Sequence, residues 1–140
     1  LEQRRAEVLA AEDAIHEAVD GLDCDAGMAL IVDDAEHLFV GTAVLMRTKP
    51  ELTAMCAEMV APRTGAVFSI DDRSVRMLSE ASALVVREGT YTINYVDGTS
   101  EELFLVVSTV WERGAEGWKM VHLHESYTDR GDEPGWRPGE

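Results

Sequence analysis

The sequence predicts an α+β fold in which helices from the first half of the chain pack on one face of a curved antiparallel sheet. Residues 1–60 carry apolar side chains at helical spacing between charged ones. Residues 66–127 instead alternate with a period of two and are rich in Val, Thr, Phe, Trp and Tyr. Because helices and long strands are segregated along the chain, we expect the strands to pair antiparallel.

Length and charge restrict the class of protein. A chain of 140 residues is long enough for one domain with a sizeable core. Its 27 Asp and Glu outnumber its 12 Lys and Arg, and the formal charge of -15 repels nucleic acid and anionic membranes. No apolar run is long enough to span a bilayer, and the charged start LEQRR does not resemble a secretory signal. These features predict a soluble, cytoplasmic protein.

The two cysteines, Cys24 and Cys56, form no CxxC or Cys/His ligand pattern. A single, widely separated pair predicts reduced, buried cysteines in a reducing compartment. The pattern predicts no metal site, and we expect no cofactor.

Two helices are expected at the start of the chain. Residues 1–20 have an amphipathic period and end at Gly21, and their charges predict a solvated face. A short second helix follows a capping Asp23 or Asp25 and includes residues 28–32.

A third helix and a short strand complete the first half. Thr48, followed by a first-turn proline and Glu51, predicts a capped helix that lasts until Pro62. Before it, residues 37–40 and 44–46 predict a short strand pair or a single strand kinked by a glycine.

Four long strands are expected at residues 66–78, 83–96, 103–111 and 118–127. The last two flank the turn RGAEG and form the central hairpin. The strand at 103–111 is apolar on both faces, so we expect helices to cover one face and more protein, for example a second copy of the chain, to cover the other. Residues 1–128 are expected to form the domain, and residues 129–140, rich in Pro, Gly and charge, a flexible tail.

Several segments resemble a known family. They are LDCDAGMALIVDDA at 22–35, the turn VDGTSEE, and WKMVHLHES from Trp118 to Ser126. With the order of elements, they resemble the SnoaL-like branch of the nuclear transport factor 2-like superfamily, whose fold is a cystatin-like cone. The ending is also similar to the association domain of calcium/calmodulin-dependent protein kinases. The resemblance implies a ligand cavity between helices and sheet, and dimerisation through the outer face of the sheet.

Alternation along the strands assigns residues to these two faces. The pocket side is expected to carry Phe39, Thr109, Trp111, Val121, Leu123, Glu125 and Tyr127. The dimer side is expected to carry Phe104, Val106, Val110, Met120 and His122. The resemblance places the position of Glu125 in the cavity, where a desolvated carboxylate has a raised pKa suited to proton transfer. The alternative is a solvated Glu125, or one paired with Arg87 or Lys119.

Other polar residues have two interpretations. His37 shares a strand with Phe39, whose face the resemblance turns toward the pocket, but a lone histidine is more often a hydrogen-bonded core residue. Tyr91 is suited to orienting a polar ligand or to reaching water at the sheet edge. His122 and His124 lie two residues apart, yet no third ligand is near them, so no metal site is expected.

The resemblance leaves the activity open. Ketosteroid isomerases carry a Tyr in the first helix and an Asp on the first strand; the matching positions here are Ile15 and Phe39, which cannot perform that chemistry. We therefore expect a homodimeric domain that binds a small organic ligand. One alternative is a small lyase or isomerase in which Glu125 is the general base and His37 or Tyr91 polarises the substrate. The other is an oligomeric assembly module.

Overall fold

The computed structural model describes residues 1–41 and 43–128, which form three helices and one six-stranded sheet. The helices are α1 (Glu2–Asp20), α2 (Cys24–Met28) and α3 (Lys49–Val60). The strands are β1 (Phe39–Gly41), β2 (Val44–Met46), β3 (Arg63–Ser79), β4 (Ser82–Tyr95), β5 (Ser100–Gly114) and β6 (Gly117–Thr128). The four long strands predicted from alternation are confirmed; β3, β5 and β6 are longer than predicted, and β4 has the predicted length, shifted by one residue. The predicted tail lies outside the described residues.

The sheet is mixed rather than wholly antiparallel. Its strand order is β2-β1-β6-β5-β4-β3, and the four long strands pair antiparallel in sequence. β1, however, pairs parallel to β6, with Phe39 opposite Leu123. The expectation of a purely antiparallel sheet is therefore wrong, because the short strand from the first half inserts beside the last strand of the chain. This pairing joins the segment between the first two helices and α3 to the edge of the four long strands.

The helices form where local sequence favours them. The buried positions of α1 are Val8, Glu12, Ile15 and Ala18, a stripe at helical spacing that faces the sheet. In α3 the Thr48 hydroxyl accepts from the Glu51 backbone N–H at 3.4 Å, as the capping pattern predicts. The second helix lies earlier than expected and ends at Met28, since residue 31 already bridges to β6. No helix in the described ranges is long and apolar enough to cross a bilayer.

A β-bulge interrupts the alternation of β6. Val110 pairs with His122 and Trp111 with Met120, which leaves Val121 without a partner. One extra residue in a strand reverses the facing of everything before it. Met120 is consequently buried at 2 % exposure in the main core, next to the helices, instead of lying on the outer face as predicted.

The two cysteines form a disulfide, contrary to the prediction of free thiols. Cys24 at the start of α2 and Cys56 in α3 have Cα atoms 6.0 Å apart although 32 residues separate them in the sequence. Sequence spacing alone did not show that these two short helices are neighbours. Disulfides persist in oxidising environments, so the expectation of a cytoplasmic protein loses the support that reduced cysteines gave it.

Reduction of this disulfide is expected to lower the free energy of unfolding by about 3–4 kcal/mol, since the bond closes a loop of intermediate length in the unfolded chain. For a domain of this size that corresponds to a fall in melting temperature of roughly 10 °C. Thermal unfolding followed by circular dichroism, with and without a phosphine reductant, measures it. The double variant Cys24→Ser/Cys56→Ser should have the melting temperature of the reduced protein, and the reductant should not change it. An unchanged melting temperature for reduced wild type would contradict the prediction.

Candidate functional site

A cavity of about 430 Å³ lies between the helices and the concave face of the sheet. Its walls come from all three helices and from every strand except β2, and most of them are apolar. The apolar lining includes Ile15, Met28, Phe39, Leu52, Met55, Ile93, Leu103, Leu105, Met120 and Leu123. The exposed lining residues, which mark the opening to solvent, are Val19, Asp23, Met59, Glu101 and Tyr127. The disulfide also contributes to the wall, so it fastens two helices beside this opening.

One wall of the cavity is polar and aromatic. Phe68 of β3 and Tyr91 of β4 face each other across the paired strands with ring centroids 6.1 Å apart. The Arg87 guanidinium lies 5.4 Å from the Phe68 centroid, and the Arg63 guanidinium lies 5.7 Å from that of Tyr91. Arg63 Nη1 also donates to the Tyr91 hydroxyl at 3.1 Å. The wall therefore holds two cations stacked on two rings.

A buried carboxylate holds Arg87 in this position. Glu12 of α1 is fully buried, and Arg87 Nη1 lies 3.3 Å from its Oε1. This contact is an ion pair without hydrogen-bond geometry, since both atoms lack a hydrogen bond to the described residues. Glu12 Oε1 is also 3.6 Å from His16 Nε2, and Thr109 Oγ1 donates to Oε2 at 3.4 Å. The prediction that the charges of the first helix are all solvated is wrong at Glu12.

Glu125 of β6 enters the cavity from another wall. No hydrogen bond or ion pair joins its carboxylate to the described residues, and most of its surroundings are protein, although part of its surface faces the open cavity. Burial raises the pKa of the Glu125 carboxyl, while the charges of Arg87 and Arg63 lower it in part. Lys119, considered as a partner, instead donates to the Ala29 carbonyl. The pairing predicted as an alternative for Glu125 is thus replaced by longer-range attraction to two arginines.

Four of the predicted pocket residues, Phe39, Thr109, Leu123 and Tyr127, line the cavity, as does Tyr91. Trp111 faces the same side of the sheet but is fully buried in the core, where its Nε1 donates to Thr109 Oγ1 at 2.8 Å. Val121 is the bulge residue and does not line the cavity. Both predictions were wrong, but for different reasons: Trp111 lies on the inner face in the packed core, whereas the bulge takes Val121 out of the alternation.

His37 lies outside the cavity. It is exposed, has a φ of 55° and precedes β1, so the strand begins too late to turn its side chain inward. Its carbonyl lies 2.8 Å from Nδ1 of His122 and accepts a hydrogen bond from that ring nitrogen. This hydrogen bond connects the residue segment that precedes β1 to β6. The prediction that His37 faces the pocket is wrong.

The outer face of the sheet is less apolar than predicted. Phe104 is buried within the single chain at 6 % exposure, and the bulge places Met120 on the inner side. Val106 is exposed and Val110 is half-buried. Val86 adds a further exposed apolar side chain on this face, where it pairs with Ser108.

Glu12, His16 and Arg63 were not predicted as site residues from the sequence, and Arg87 was expected only as a partner of Glu125. Glu12 does carry a signal, because it occupies a position of the buried stripe of α1, four residues after Val8 and three before Ile15. An acid on that stripe predicts a buried partner. No local pattern marks the two arginines as site residues. Strand alternation shows on which face of the sheet a side chain lies, but not how far that side chain is from a helix.

The fold matches solved structures of the nuclear transport factor 2-like superfamily. A superfamily protein from Salmonella enterica superposes with a TM-score of 0.80 at 17% identity, covering 99% of each chain. A candidate dehydratase of this family from Streptomyces avermitilis superposes at 0.82 and 19% identity, over 91% of this chain and 99% of that one. A candidate calcium/calmodulin-dependent protein kinase II association domain from Xanthomonas campestris gives 0.76 at 18%, over 89% and 87%. At these identities the likeness establishes the fold alone.

The sequence also identifies the family within that superfamily. Residues 8–130 match the SnoaL-like domain, so the chain belongs to the SnoaL-like family, as its motifs suggested. No curated protein matches the chain. Ile15 and Phe39, the positions aligned with the steroid isomerase residues, both line the cavity and are both apolar.

Proposed function

We propose that this domain binds a small, largely apolar organic molecule in its cavity. The observation that carries the proposal is the cavity itself, whose volume of about 430 Å³ lies within the range of sites that hold small ligands. Apolar side chains from helices and sheet form most of the wall, while a few polar groups gather on one side. That division suits a ligand with an apolar body and one polar group.

The uncharged dye N-phenylnaphthylamine, which fluoresces in apolar surroundings, tests this proposal. It should bind the protein, and Leu123→Trp should weaken binding about tenfold or more, or ~1.4 kcal/mol, because the indole fills space that the dye needs. Fluorescence titration measures both. Val67→Trp is the matched control, since Val67 is 58% exposed and lies outside the cavity. Absence of binding, or equal binding by both variants, would overturn the proposal.

A second candidate function is proton-transfer catalysis with Glu125 as general base. The favouring observation is a cavity-facing carboxyl with a raised pKa and no bonded partner among the described residues. Tyr91 then polarises the substrate, in place of His37, which lies outside. Burial raises the pKa of Tyr91 as well, so its hydroxyl keeps its proton and is available as a donor.

We also propose that the domain forms a homodimer through the outer face of the sheet. Support comes from Val86, Val106 and Val110, which lie near one another on β4 and β5. Light scattering measures the molar mass in solution. A dimer is expected; a monomer would remove this part of the proposal, and a large ring would favour the alternative of an assembly module.

A further inference from the structure

The polar wall of the cavity holds hydrogen-bond donors that have no acceptor. Arg63 Nε is buried without a hydrogen bond, and no carboxylate of the described residues forms an ion pair with this guanidinium. Its single hydrogen bond, to the Tyr91 hydroxyl, uses only Nη1. Because a guanidinium has five N–H donors and stays charged in proteins, Arg63 is a cation at the cavity wall that forms no ion pair with the described residues and interacts with Glu125 only at longer range.

Arg87 repeats this pattern at the other end of the aromatic pair. Its Nε and Nη1 are both buried and form no hydrogen bond with the residues that the structure describes, and its ion pair with Glu12 is made through Nη1. Its side chain is 11% exposed and lines the cavity. Tyr91 accepts from Arg63, and within residues 1–41 and 43–128 its own O–H has no acceptor, so it can donate to a ligand. Donors therefore outnumber acceptors along this wall.

A buried donor without a partner is costly, and charged donors are the costliest. A carboxylate satisfies guanidinium groups best, because it carries a negative charge and places two oxygen acceptors in one plane. We propose that the ligand of this cavity is a small organic acid whose carboxylate binds Arg63, Arg87 and the Tyr91 hydroxyl, with its apolar body against the helices. This inference rests on the proposed ligand-binding function and names the chemical class of the ligand.

Two negative influences oppose a ligand anion. The net charge of the chain is -15, but exposed charges are screened beyond about 8 Å at physiological ionic strength, whereas the arginines act at contact distance. Glu125 faces the same cavity. Burial already raises the pKa of its carboxyl, which lowers the free-energy cost of protonating Glu125 when an anion binds beside it.

Displacement of N-phenylnaphthylamine by two isosteric competitors, naphthoate and naphthamide, tests the inference. Naphthoate should displace the dye at a concentration at least about tenfold lower than naphthamide, as expected for charge-assisted hydrogen bonds to arginine. Arg63→Met should abolish this preference, and Tyr91→Phe should reduce it a few-fold. Arg113→Met is the matched control, because Arg113 lies away from the cavity beside Glu7.

The outcomes separate the two proposals. Equal displacement by naphthoate and naphthamide, or a preference that survives in folded Arg63→Met, overturns the carboxylate inference and leaves ligand binding intact. Displacement by neither competitor, while the dye still binds, has the same meaning. Failure of the dye to bind overturns both proposals. Circular dichroism shows that each variant is folded, and Tyr91→Phe supplies the test if Arg63→Met does not fold.

Discussion

Replacing Glu12 by leucine is expected to lower the free energy of unfolding by about 3–5 kcal/mol, although leucine suits a buried position in α1. Glu12 is fully buried and ion-paired with Arg87, and its other oxygen accepts from Thr109. Leucine would leave the guanidinium of Arg87 buried without its counter-charge, and desolvation already lowers the pKa of Arg87. Urea unfolding followed by fluorescence measures the change.

A double variant distinguishes a lost charge partner from poor packing. Because removing both charges of a buried pair is often tolerated, Glu12→Leu/Arg87→Met should recover most of the lost stability. Glu17→Leu, at an exposed position of the same helix, is the control and should change stability by less than about 0.5 kcal/mol. If Glu12→Leu alone is as stable as wild type, the buried network is not what holds Arg87 in place.

If Glu125 is a general base, Glu125→Gln is expected to lower the catalysed rate by a factor of about 10²–10⁴. A probe reaction is deuterium uptake at the methyl group of naphthyl methyl ketone in D₂O, followed by NMR. In this exchange Glu125 takes a proton from the methyl carbon, Tyr91 donates to the developing enolate oxygen, and a deuteron then returns to carbon. Glu101→Gln, at the cavity opening, is the matched control. A rate that the glutamine variant leaves unchanged would exclude this role.

The pH dependence of this exchange provides a second measurement. Only the ionised carboxylate accepts a proton, so the rate should fall as pH is lowered through the raised pKa of Glu125, above the usual range of a glutamate. Stability should change in the opposite sense. At pH values between the pKa of Glu125 in the unfolded state and its higher pKa in the folded state, the folded protein binds more protons. The contribution of Glu125 to the stability of wild type therefore falls as pH rises, and Glu125→Gln should lack this pH dependence. Loss of exchange without loss of stability would separate catalysis from folding.

The secondary structure could be predicted from local pattern, but the topology only in part. Thr48 and the proline after it specify the start of α3, and alternation specifies the four long strands. The parallel pairing of β1 with β6 has no local signal, since three residues of strand are compatible with either edge of the sheet. The disulfide was missed for the same reason, because its geometry depends on how α2 and α3 pack.

At the site, strand alternation together with the family resemblance assigned Phe39, Thr109, Leu123, Glu125 and Tyr127 to the pocket side, and these residues line the cavity. It failed at Met120, because a single bulge reverses the facing on one side of it, and no Gly or Pro within β6 after its first residue, Gly117, marks the position. The buried carboxylate in α1 and the arginine opposite depend on contact between a helix and a strand 75 residues later, which periodicity does not report.

The parallel pairing of β1 and β6 also bears on how the chain acquires its structure during synthesis. The partner of Phe39 in β6 is Leu123. More than half of the chain therefore emerges from the ribosome before β1 can pair with the long strands of the sheet. Until then α1 can pack on β3 but not on β6, β1 lacks its neighbour β6 in the sheet, and pairing over such long sequence separation is slow. A nascent chain stalled before residue 117 should therefore be prone to aggregation, and release of the last strand would complete both the sheet and the cavity.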